Sequence, residues 1–239
     1  ATAEVLGKIG VRPDLLIGHS VGEGTVLQIG GAVDSRTSAL MHSRRGQWME
    51  EAVRYGTENV IETIMALVSG APRSVVNKLI KDVLEELPAE KRRDAVLEAG
   101  LFNSVLHTMP SGDRTLIERV VEKAKAIGYS GAKIFTETPI AFHNARQVEA
   151  ASRYRELLLR LEAEGKIKHP AVPVLSALER FVDVVDSARS VVETQADLVN
   201  EHVDWVEVAR TLGDLEVPVT IVGLGPGAPS VNNIEFNVR

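Results

Sequence analysis

The period of the apolar positions changes several times along the chain, and each change marks an element. Residues 14–17, DLLI, form a short apolar run between Pro13 and Gly18, the pattern of a buried parallel strand. From Val21 to Val33 the spacing becomes helical, with Val21, Thr25 and Gln28 to Ile29 following one another around a 3.6-residue turn. A second helix is predicted from Ser35 to about Tyr55, opening on an Asp34 or Ser35 cap and closing at Gly56. Gly30 and Gly31 mark a tight junction between the two.

The next stretch reads as a small unit of its own. ETIMALVSG predicts a strand, PRSVVNKLIKDVLEEL a helix, AVLEAGLFNS and SVLHTMPSG a strand pair, DRTLIERVVEKAKAIG a helix and AKIFTET a strand. That βαββαβ order is ferredoxin-like, with the charged PAEKRRD segment as a solvated loop. After His143 the pattern gives a long helix over about 145–164, a strand at VPVLSAL, a helical region to about Leu212 and a last strand at VPVTIVG. The fold expected is α/β. Residues 1–60 and 138–239 form an α/β-hydrolase-like large subdomain with a parallel sheet, and 61–137 an inserted ferredoxin-like α+β small subdomain.

Composition narrows the function classes. A net charge of −6 argues against a nucleic-acid partner, which calls for a positive face. No apolar run reaches the ~20 residues of a membrane span, and residues 1–14 lack the charged-then-apolar order of a signal peptide. The absence of Cys excludes disulfides and thiol chemistry and suits a reducing compartment, so the cytoplasm is the expectation.

Gly18-His19-Ser20-Val21-Gly22 has the G-x-S-x-G form of a nucleophile elbow, with an apolar strand before it and a helix after it. The glycines flank a strained turn that leaves no room for side chains, and the helix start directs its N–H groups, Val21 first, at an oxyanion on Ser20. A serine needs a base, and six histidines are available. His19 adjoins the serine but points away across the turn. His42 lies on an amphipathic helix, His107 in a strand and His169 in a Lys-rich loop. His143, at the junction where Pro139 and Ile140 to Phe142 leave the small unit, is the leading candidate, and His202 its competitor.

These residues carry a resemblance. Gly18 to Glu23 resembles the GHSxGE signature of the malonyl-CoA:acyl carrier protein transacylases and the acyltransferase domains of polyketide and fatty acid synthases. Arg45-Gly46, 25 positions after Ser20, falls where that family carries the arginine that binds a malonyl carboxylate. Asn103-Ser104 with the Ser-Gly turn at Gly112, AFHN ending at His143 and Asn144, and VPVLS, VDWVEVARTL and VGLGPG follow in the family's order. The resemblance implies a ping-pong transfer. Ser20 is the nucleophile, His143 its base, Arg45 the carboxylate ligand, and His19, Phe142 and Asn103 line the substrate pocket. It implies malonyl-CoA as donor, the phosphopantetheine thiol of an acyl carrier protein as acceptor, and no bound cofactor.

Arg45 suits that role because a guanidinium meets a carboxylate bidentately as Lys does not. Without the resemblance it reads as a helix-surface arginine beside Arg44. Phe142 resembles the malonyl-type version of its segment, where a ring leaves no space for a methyl branch. GLGPGA, residues 223–228, is not a dinucleotide fingerprint, because Pro226 and Pro229 oppose a helix start and too few residues follow. Asp183/Asp186 and Glu85/Glu86 lack histidine at ligand spacing and read as solvated faces, so no metal is expected.

The departures are also specific. Nothing in residues 1–13 matches the family's upstream Gly-Gln-Gly segment, which supplies the second oxyanion N–H. The expectation is therefore a fragment, one half of a nicked domain, or a chain completed by other segments or domains of a synthase. LVNEHVDW departs from the usual QLxxPVxW, so a contact from that loop to the base is not carried over, and Gly24 stands where many members have a bulkier residue. Two other readings stay open: a serine hydrolase with Asp204 or Asp214 as the acid near His202, and a structural piece of a megasynthase.

Overall fold

The computed structural model describes residues 2–54, 61–136, 140–179, 183–224 and 229–238. Helix α1 (Thr2–Lys8) buries no residue. The elbow follows β1 (Leu16–Ile17), and α2 (Val21–Ile29) and α3 (Ser35–Arg54) come next. Gly31, with φ 80°, makes the turn between the two helices that the sequence predicts.

Residues 63–135 fold in the predicted order: β2 (Thr63–Ser69), α4 (Arg73–Glu85), β3 (Leu97–Ser104), β4 (His107–Asp113), α6 (Arg114–Ala126) and β5 (Lys133–Phe135). The PAEKRRD segment forms one exposed helical turn, α5 (Ala89–Arg92), rather than a loop. The sheet runs β5-β2-β4-β3-β8, antiparallel except for the last pair, where β8 (Val203–Asp204) lies parallel beside β3. Strand β2 is apolar from Ile64 to Val68 because both faces are covered. Ile64, Ala66 and Val68 meet α4 and α6, while Met65 points into a second core with Leu175 and Trp205. The two-residue β8 fixes the loop before it against β3, a pairing that no pattern in LVNEHVDW announces.

The rest of the chain packs α3, α7 (Val148–Ala163) and α8 (Ala188–Asp197) around Leu27, Met41, Leu158 and Val191. Its sheet is β1-β6-β7, with β6 (Val174–Leu175) parallel to β1 and β7 (Val184–Val185) antiparallel to β6. The expectation of a parallel sheet is corrected here to a mixed one. The link from β6 to β7 is too short for the crossover of a dozen or more residues that a parallel neighbour needs.

Helix α9 (Trp205–Gly213) is capped by the Asp204 carboxylate, which accepts from the Val206 and Glu207 amides. The strand predicted at VPVTIVG does not form. Residues 217–224 are irregular, with Val217 63% exposed, and no strand among the described residues lies beside them. Residues 225–228 lie outside the described residues. Helix α10 (Pro229–Val238) then starts at the proline expected to oppose one, because the first helical position needs no N–H.

Candidate active site

Ser20 stands between β1 and α2 with φ 53° and ψ −119°, a region that side-chain-bearing residues rarely occupy. The turn brings the start of α2 back over Gly18. A Cβ added at Gly18 would lie 2.2 Å from the Glu23 backbone, so only glycine fits. Gly22 does not share this reason, since a Cβ there meets nothing within 4 Å. The Gly22 and Glu23 amides turn back to the His19 and Ser20 carbonyls, and the Val21 amide opens the helix beside the Ser20 hydroxyl.

His143 meets Ser20 across the fold. Its Nε2 is 2.7 Å from Ser20 Oγ, and its Nδ1 is 2.9 Å from the Glu201 carbonyl oxygen. A carbonyl only accepts, so Nδ1 carries the proton and Nε2 offers its lone pair to the serine hydroxyl. The loop 198–204 thus holds the base through its backbone, a contact that any side chains in LVNEHVDW would permit. His143 is 1% exposed, and burial, with the Arg45 charge second, pushes its pKa down to about 3. The ring is therefore neutral at ordinary pH, and its Nε2 lone pair faces the serine hydroxyl.

The segment carrying His143 is held on β3 and β4. His143 itself has φ 57°, and its N–H points to the Val199 carbonyl at 3.4 Å. Ser111 of β4 donates to the Phe142 carbonyl and accepts from Asn144 Nδ2 at 2.7 Å. The Asn144 side-chain oxygen caps the following turn at the Arg146 amide, 2.9 Å away. Gly100 of β3 leaves room beneath: a Cβ there would lie 3.1 Å from the His143 carbonyl and 2.9 Å from the Ser111 Cβ. Ser111 and Gly112 sit within β4, not in the turn expected of them.

Arg45, on α3, is buried rather than on the helix surface. Its Nη2 donates to the Leu198 carbonyl at 3.2 Å, and its charge bears on His143. Burial lowers its pKa, and Tyr154 and Glu23 oppose that. Glu23, the last residue of the hexapeptide, is fully buried on α2. Ser176 Oγ donates to Oε2 at 3.0 Å and Gln195 Nε2 to Oε1 at 3.1 Å, and burial still raises its pKa to about 7. Sequence reasoning missed Glu23, Ser176, Gln195 and Ser111. A lone Glu among the buried Gly24, Val26 and Leu27 on α2 was the available signal. Gly24 is accounted for here, since a Cβ would lie 2.8 Å from His42 Nε2 and 3.2 Å from Gln195 Oε1.

His19 donates from Nε2 to Asn103 Oδ1 at 2.8 Å and sets its ring edge-on to Trp205, with centroids 4.9 Å apart. Phe142 is half-buried between two apolar clusters. The other histidines lie elsewhere: His42 donates to the Ser38 carbonyl, His107 bonds Ser104, and His169 bonds the Asp186 carbonyl. His202 sits between Glu98 and Glu179 and is not bonded to Ser20. Asp204 caps α9 and pairs with Arg73 at 2.9 Å, and Asp214 ends α9, so neither serves His143 as a carboxylate partner.

No protein-family model matches the chain. The malonyl CoA-acyl carrier protein transacylase of Bacillus subtilis is 27% identical over 227 residues, spanning 95% of this chain and 65% of that protein. The non-reducing polyketide synthase Preu8 of Preussia isomera is 27% identical over 169 residues, 71% of this chain and 7% of the synthase. Among solved structures, the malonyl CoA-acyl carrier protein transacylase of Coxiella burnetii superposes with a TM-score of 0.82 at 24% identity, over 98% of this chain and 67% of that one. The chain thus spans less than two thirds of the curated relatives it matches. It is homologous to the malonyl-CoA:acyl carrier protein transacylases and to the related segments of polyketide synthases, and it has the transacylase fold.

Proposed function

We propose that this chain is an acyltransferase that moves a malonyl-type group from CoA to the phosphopantetheine thiol of an acyl carrier protein. The observation that carries the reading is the 2.7 Å contact of Ser20 Oγ with the lone-pair nitrogen of a buried His143, beside the buried cation of Arg45. His143 Nε2 takes the serine proton as Oγ bonds the thioester carbonyl carbon, and the Val21 N–H faces the oxyanion that forms. The carbonyl re-forms, the C–S bond breaks, and the CoA sulfur leaves with the proton from His143. The carrier thiol then gives its proton to His143 and attacks the acyl-serine, and Ser20 regains its proton when its C–O bond breaks. Thioester exchange is nearly isoenergetic, so the site's main task is to keep water from the acyl-serine.

Arg45 binds the distal malonyl carboxylate, and His19, Asn103 and Phe142 line the pocket around the acyl group. The reading divides the chain into an α/β-hydrolase-like large subdomain, 1–60 and 138–239, and a ferredoxin-like small subdomain, 61–137. The β5-β2-β4-β3 strand order and the two covering helices support that division. Incubation with malonyl-CoA should add one malonyl group to the protein, detected by intact mass, and Ser20→Ala should abolish it. Adding a phosphopantetheinylated carrier protein should move the group to the carrier. Hydrolysis of malonyl-CoA with no malonyl on any carrier would overturn the transferase reading in favour of a serine hydrolase.

A further inference from the structure

The contacts around His143 lead to two residues that the reaction as written does not use. Glu98 lies on β3 directly across from Ser111 of β4, on the same face of the sheet. Its Oε1 accepts from the Ala145 amide at 3.1 Å, two residues after the base, and its Oε2 is 2.8 Å from His202 Nε2. His202 follows Glu201, whose carbonyl holds the base's Nδ1–H. We propose that Glu98 and His202 are positioning residues for His143, with one carboxylate tying the segment after the base to the loop that orients its ring.

The far side of His202 completes the arrangement. Its Nδ1 is 3.1 Å from Glu179 Oε2, and the Glu179 amide donates to the His202 carbonyl at 2.9 Å. Arg73 of α4 bonds the other Glu179 oxygen and Asp204 Oδ2, the latter at 2.9 Å. Carboxylates only accept, so both ring nitrogens of His202 must donate, and both bonds exist together only in the imidazolium. The hydrogen bond that His202 donates to Glu98 is the largest cause that raises the pKa of His202, its partial burial opposes it, and the Glu98 charge and Glu179 add to the rise. Loss of the proton breaks one of the two bonds and frees one side of the loop. His143 should therefore be held best below the raised pKa of His202 and less well above it.

The proposal rests on the Ser20–His143 pairing described above, and its test separates the two. Nitrogen-15 spectra of the histidine side chains need no substrate. They should show His202 doubly protonated at neutral pH and a His143 Nδ1 proton that exchanges slowly with water. In Glu98→Gln the His202 titration should move down and the His143 proton should exchange severalfold faster. Single-turnover acylation of Ser20 by malonyl-CoA should slow by up to about 100-fold with little change in KM. Its alkaline limb should shift toward lower pH. Glu179→Gln, which leaves the Ala145 contact intact, should lower the His202 titration with a smaller loss of rate, and it decides the matter if Glu98→Gln does not fold. Unchanged His143 exchange and an unmoved alkaline limb in the folded variants would overturn the positioning role even if Ser20 is malonylated. The expected histidine responses with no malonyl on Ser20 would overturn the acyl-transfer reading alone.

Discussion

Ser20 and His143 meet from two backbone positions with left-handed φ, 53° and 57°, conformations that cost about 1–3 kcal/mol each and persist only where the surroundings enforce them. For Ser20 the enforcing group is the start of α2 packed on Gly18; for His143 it is Ser111, Asn144 and the Glu201 carbonyl. On the proposed reading Arg45 acts on a different part of the chemistry. A buried guanidinium bonded to one carbonyl keeps donors for a carboxylate, and on that reading its removal takes away affinity for the acyl carboxylate while the base stays in place. Arg45→Ala should therefore lower kcat/KM for malonyl-CoA by about 10- to 100-fold relative to acetyl-CoA. Equal losses for both donors would remove Arg45 from the acyl pocket. The Ser20–His143 pairing was legible in the sequence because the elbow and the junction after the small unit are short stretches with their own pattern, whereas Arg45 was reached only through the resemblance, since its own stretch reads as a helix surface. Glu23 and Glu98 were not legible, because what distinguishes them is a partner far along the chain, as with Ser176 and Gln195 for Glu23 and His202 for Glu98.

The elbow shows how an element divides its glycines between two uses. Gly18 faces backbone at 2.2 Å, and no rotamer can relieve that contact; Gly22 faces open space inside α2 and only lowers helix propensity. Gly18→Ala should lose more than about 3 kcal/mol of stability in urea or fail to fold, whereas Gly22→Ala should gain about 0.4–1 kcal/mol. Similar values for the two would mean that the turn is not held as described. Helices and the long strands of the 63–135 sheet were readable because their periods extend over many residues. Of the two-residue strands, β1 and β6 were readable from their apolar runs, but β7 and β8 fall in the stretch expected to be helical, since pairs that short carry no period of their own and are set by what packs beside them. The VPVTIVG run failed for the same reason in reverse: strand propensity alone makes no strand where no neighbour offers a ladder.

Across the whole molecule, two buried groups of the same site make stability depend on pH in opposite directions. His143, held down at about 3 from an ordinary 6.5, contributes stability that is present above 6.5 and is lost as the pH falls toward 3, because the unfolded chain takes up a proton the folded one refuses. Glu23, raised to about 7 from 4.5, does the reverse: its contribution is full below 4.5 and is lost as the pH rises through 7, because the unfolded chain releases a proton the folded one keeps. Between these limits the two partly cancel, which keeps the fold's stability flatter than either group alone would allow. Glu23→Gln removes only the second. The variant should gain on the wild type as the pH rises from 4.5 to 7, by an amount approaching about 3 kcal/mol, and the difference should then level off. Urea denaturation of both proteins from about pH 4 to about pH 9 measures it directly. A difference that stays constant across that range would mean that Glu23 titrates normally, and that Ser176 and Gln195 hold an ionised carboxylate beneath the elbow at no cost to the fold.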